Sequence, residues 1–156
     1  MADYFTNFSV LLDLPDQAAQ DYALDIAEEA ASMRFKDDPP KLPPGFPASL
    51  VDVVEGWHFV TEAESSSNQG KYGLWLHSGN GGIDAVCCFI QHLLRRFQPA
   101  GCVQFEWSHD CSKPRTDAYG GGAAVITACK IKTMTTGEWL RKQAIARESQ
   151  QQKGDQ

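Results

Sequence analysis

The segment IDAVCCFIQHLLRRF (residues 83–97) limits the possible folds more than any other part of the chain. Ile83, Val86, Cys87, Ile90, Leu93, Leu94 and Phe97 recur at helical spacing and form one apolar stripe. Asp84 stands near the positive end of the helix dipole and Arg95 and Arg96 near the negative end. Gln98-Pro99-Ala100-Gly101 then stops the helix. On either side lie YGLWLHS and CVQFEWSHDC, both with strand character. A one-sided helix between two strands has to lay its stripe on their sheet, as a right-handed crossover. Val103, Phe105 and Trp107 are then expected inward, and Gln104, Glu106 and Ser108 outward.

The other segments extend this unit. In NFSVLLDL, Phe8, Val10, Leu12 and Leu14 alternate on one face, as in a half-buried strand. Pro15 and Asp16 open a helix through QAAQDYALDIAEEAASM, which buries Ala19, Tyr22, Ala23, Ile26, Ala30 and Met33. DDPPKLPPGFPASL holds five of the eight prolines, which predicts an extended connector over 37–49. Its PKLP and PGFP are spacers, because no basic flank accompanies them. VDVVEGWHFVTEAE reads as a second strand, SSSNQGK as a polar turn and AAVITACKIKTM as a single late strand. Thr135 and Glu138 form a capping box before a short helix carrying Trp139 and Leu140.

The order β-α-β-β-α-β-β-α predicts an α+β fold, a ferredoxin-like split βαβ sandwich (β-α-β-β-α-β) with an added hairpin strand and a C-terminal helix. One domain over 1–148 is expected, followed by a disordered polar tail at 149–156.

Charge divides the chain. The net charge of −6 is the balance of −10 over residues 1–70 and +4 over residues 71–156. The overall sign disfavours direct nucleic-acid binding by bulk electrostatics. The split leaves one surface that repels anions and another that attracts them. Five cysteines without a CxxC pair argue against a disulfide framework. No run is apolar enough for a membrane span, and neither the basic segment nor the apolar core of a secretory signal is read at the start. The expected location is the cytoplasm.

The candidate sites follow from the crossover. Its two strands point the same way, so the loops after them, SGNGGID and CSKPRTDAYGGG, are expected at one edge. Ser78, Asn80, Gly81 and Gly82 lie at a helix N-terminus, where free N–H groups suit an anion. Lys113 and Arg115 offer countercharge, and Gly120, Gly121 and Gly122 offer close backbone approach. The plainer reading is a capped turn and a glycine-rich hairpin loop. Neither loop has a P-loop or dinucleotide motif.

His77, His109 and Cys111 are weak zinc candidates because they lack a spacing signature and an identifiable fourth ligand, so no metal or cofactor is expected. Cys111 as a nucleophile lacks an orienting third group. Asp21, Asp25, Glu28 and Glu29 form an acidic helix face, either solvated or a docking surface for a basic partner.

W-S-H-D-C-S-K-P-R, preceded by WLHSGNGGIDAVCCFIQHLLRRF and followed by YGGGAAVITA, resembles a family of small proteins carried by phages and mobile elements. The resemblance spans roughly residues 74–140 and brings no activity or site residues with it. It implies an accessory or anti-defence role. The leading expectation is a non-enzymatic accessory protein that binds a protein partner, with a host defence or nucleic-acid enzyme as the target. The alternative is a phosphate- or nucleotide-binding protein, or a small enzyme, using the two glycine loops, with a zinc site as third reading.

Overall fold

Alternation in the first strand decides which side of the molecule is inside. In the computed structural model, β1 (Tyr4–Leu14) buries Phe8, Val10, Leu12 and Leu14 and exposes Leu11 and Asp13. The described residues are 2–33, 42–64 and 72–154, with side chains described as far as residue 147. Residues 37–41 of the expected connector and the turn at 65–71 lie outside them.

After β1 come α1 (Gln17–Met33), a 3-10 helix (Ala48–Gly56), β2 (Val60–Glu64) and β3 (Tyr72–Ser78). They are followed by α2 (Ile83–Phe97), β4 (Cys102–Cys111), β5 (Gly120–Thr127), β6 (Ile131–Thr135) and α3 (Thr136–Gly154). The fold is α+β. The six strands make one antiparallel sheet in the order β2-β3-β1-β4-β5-β6.

One face of the sheet carries the core. Phe8, Leu74, Leu76, Phe105, Trp107 and Ile126 meet the buried stripes of α1 and α2 in a single cluster. The stripe of α2 packs as its spacing requires, with Leu93 at 0% exposure. Asp16 caps α1, its Oδ1 accepting from the Ala19 amide at 2.8 Å. Buried Gln20 donates from Nε2 to the Gly73 carbonyl at 2.6 Å, tying α1 to β3. Thr135 and Glu138 form the expected reciprocal box at 3.2 and 3.3 Å.

Three expectations need correction. The segment that reads as a long second strand begins as the end of the 3-10 helix, and only Val60–Glu64 is strand. Leu50 and Val54, four apart, are buried against α2, and this helical spacing outweighs the β-branched composition of VDVV. The single late strand is a hairpin, β5 and β6, closed by Thr127 N–H to Lys130 O at 2.9 Å. Ala128-Cys129 gives no turn signal because the turn needs no glycine; no non-glycine residue described has a positive φ. Finally, α3 runs on to Gly154, through most of the stretch expected as a disordered tail. Gln, Lys, Arg and Glu are poor core residues but good helix formers.

Candidate functional site

The loops after β3 and β4 leave the sheet at the same end, with the start of β1 between them. Thr6 N–H donates to Gly79 O and Gly81 N–H donates to Thr6 O, both at 3.1 Å. On its other side Thr6 pairs with His109, their Oγ1 and Nδ1 at 2.9 Å. Farther along, Asp3 and Ser112 exchange two hydrogen bonds at 2.9 Å. The glycine loops are thus near one another but laced to β1 rather than to each other.

The chemistry expected there is largely engaged in structure. Ser78 donates its hydroxyl to His58 O and accepts from the Asn80 amide at 2.9 Å, as a turn residue does. Gly81 and Gly82 have φ of 98° and 85°, which side chains rarely adopt. A Cβ on Gly82 would also crowd Gly56 O and the His58 amide at 3.0 and 3.2 Å. An anion site here required Lys113 or Arg115 over this turn. Arg115 instead grips Asp117 at 3.2 and 3.4 Å. That hydrogen bond raises the pKa of Arg115 and lowers that of Asp117. Lys113 is exposed.

Gly120, Gly121 and Gly122 open β5 against β4. A Cβ on Gly121 would overlap Trp107 O, and one on Gly122 would overlap the Trp107 ring. Gly122 is therefore the place where the buried Trp107 indole lies on the strand, and Gly121 lets β5 approach the Trp107 backbone. Gly120 sits beside Thr136, whose hydroxyl bridges the Gly121 amide and carbonyl at 3.2 and 3.3 Å.

The metal candidates separate. The registers Ser9 with His77 and Thr6 with His109 put the two imidazoles on opposite sheet faces. His77 stacks on Trp75, ring centroids 3.9 Å apart, and meets Glu62 at 3.1 Å. Cys111 shares the face of His109 without a third ligand, and no metal-binding cluster occurs among the described residues. The five cysteines are free. Burial, then Cys88 and Asp84, push the Cys87 thiol up to about 12, so it stays an inert core group. His92 is structural too, held by Tyr22 Oη at 2.8 Å and Ser49 Oγ at 3.3 Å.

On α1, Asp21, Asp25 and Glu28 are exposed, and Glu29 is half-buried. Beside them a groove of about 400 Å³ runs between α1 and β2, lined by Leu24, Ala27, Trp57, Phe59 and Thr61, with Glu28 in its wall. Thr61 Oγ1 is buried without a hydrogen-bond partner among the described residues. Sequence reasoning misses this groove because Trp57 and Phe59 follow a helix whose residues have strand character.

It also passes over the second sheet face. There Leu11 pairs with Trp75 and Trp75 with Glu62, while Val125 and Met134 lie exposed on β5 and β6. The alternation of YGLWLHS already sets Trp75 opposite Leu74 and Leu76, a signal present in the sequence.

No described helix is long and apolar enough to cross a membrane. Comparison with protein-family models, curated proteins and solved structures gives no match to this chain.

Proposed function

We propose that the protein works by binding, as a non-enzymatic accessory protein that docks a basic protein partner on α1 and the groove beside it. One observation carries this reading: an apolar groove, with a buried Thr61 hydroxyl that has no partner among the described residues, lies directly beside the exposed carboxylates of Asp21, Asp25 and Glu28. Apolar floors supply affinity, and a single-sign rim supplies steering and register. β2 also ends the sheet order, so its outer edge is a place for an extended segment to pair. A nucleic-acid enzyme, with its cationic substrate cleft, suits spaced carboxylates of this kind. A host defence enzyme is the narrower expectation that the phage-like resemblance adds.

The order β2-β3-β1-β4, with α1 and α2 in one core, supports reading the scaffold as a ferredoxin-like split βαβ sandwich extended by β5 and β6.

The test is capture from bacterial lysate by the wild-type protein and by the triple variant Asp21→Ser, Asp25→Ser, Glu28→Ser, with mass spectrometry of the bound proteins. The substituted side chains are exposed, so each change should cost less than about 0.5 kcal/mol of stability. Loss of a specific basic protein, with a weaker salt dependence, is the expected outcome. Unchanged capture returns the acidic row to a solubility feature.

A further inference from the structure

The C-terminal helix is tied to the sheet at its start, where the Thr136 hydroxyl meets Gly121. Every described side chain of α3 from residue 136 to 147 is exposed, with Trp139 at 48% and Leu140 at 61%. A helix of this kind is marginal in water, and a capping box fixes only its first turn. Helical spacing sets Leu140 beside Ala144 and Arg147, with Arg141 and Lys142 flanking. Within the described side chains the helix carries three bases and one acid, Glu138.

The open face of the sheet has the opposite character. Leu11, Trp75, Val125 and Met134 stand exposed on it. Among the described strand residues, Asp13, Glu62, Glu64, Glu106 and Asp110 share this face by alternation with one base, Lys132. Trp75 is fixed in place: its Nε1–H donates to Ser9 Oγ at 2.9 Å, and its ring stacks on His77. A rigid aromatic anchor of this sort loses little entropy on binding.

We infer that the protein self-associates, the C-terminal helix of one copy lying across the open sheet face of another. Charge complementarity selects this occupant: a basic helix with exposed Trp139 and Leu140 meets an acidic face with exposed Trp75 and Leu11. Dimensions agree as well. A helix of 19 residues is roughly 28 Å long, and six strands span roughly 24 Å. The same two surfaces on each copy allow a two-fold exchange in which both contacts form at once. A nucleic-acid occupant is disfavoured by the five carboxylates. This surface is on the other side of the sheet from α1, so the inference stands apart from the proposed partner site.

Sedimentation equilibrium of the full chain over a wide concentration range tests it. The wild type is expected to dimerise. Trp75→Ala and, separately, Leu140→Ser should weaken the dimer by about ten-fold or more, with thermal melts confirming that each variant is folded. Glu62→Lys with Glu106→Lys should be monomeric, as should Arg141→Glu with Arg147→Glu. Mixing these two variants should restore a heterodimer that Trp75→Ala in both chains abolishes. A wild type that stays monomeric throughout, or a dimer indifferent to Trp75 and Leu140, overturns the inference.

Discussion

The two faces of the sheet are built from alternate residues of the same strands, yet they do opposite work. Leu12 is 3% exposed and its chain neighbour Leu11 is 47% exposed. On the covered face Phe8 packs in the core cluster beside Phe59 and Phe105, ring centroids 6.2 and 5.6 Å away. On the open face Trp75 has a Ser hydroxyl, an imidazole and a carboxylate for neighbours. The difference teaches that residue type alone does not mark the core. Leucine and tryptophan occur on both faces, and the pleat decides which of them stabilise the fold and which are left for another surface.

The sharpest way to break this comparison is to truncate the two leucines. In urea unfolding at concentrations too low for self-association, Leu12→Ala should cost about 2–5 kcal/mol, whereas Leu11→Ala should stay within about 0.5 kcal/mol. Equal losses would mean that the open face is covered within the monomer. A smaller effect separates two glycines. Gly122→Ala forces a methyl into the Trp107 ring and Met134 O and should destabilise by about 1–3 kcal/mol. Gly137→Ala meets nothing within 4 Å in the first turn of α3 and should be neutral or stabilising by up to about 1 kcal/mol.

The mildest test is pH. Burial, and then Arg96 and Arg95, hold the pKa of His92 below its ordinary 6.5. The unfolded chain therefore takes up the proton first. The stability that neutral His92 contributes is complete above about pH 6.5 and is lost as pH falls through the lower folded value. Urea midpoints should decline over that window, and His92→Gln should flatten this part of the decline. An unchanged profile would remove His92 from the pH response.

Much of the architecture was legible because periodicity reports burial directly. The stripe from Ile83 to Phe97, the alternation of β1 and β4 and the Thr135–Glu138 box needed only local spacing. The 3-10 helix was not legible, because Val51, Val53 and Val54 carry β propensity and only the packing of Leu50 and Val54 against α2 reverses it. The candidate site was half legible. The acidic row on α1 follows from helical spacing, but the groove needs α1, β2 and the Trp57–Phe59 segment brought together across the chain.

The sequence by itself determined the α+β class, the faces of its main elements and the acidic and basic halves, since these depend on neighbours within one or two turns. Only the tertiary structure decided what the glycines are for. In sequence CSKPRTDAYGGG reads as a turn that an anion could also use, and only the fold shows Trp107 lying on Gly122 and Arg115 paired with Asp117. The physical reason is that close approach is a property of pairs distant in sequence. A glycine shows only that a side chain is absent, and the fold supplies the group that fills the space.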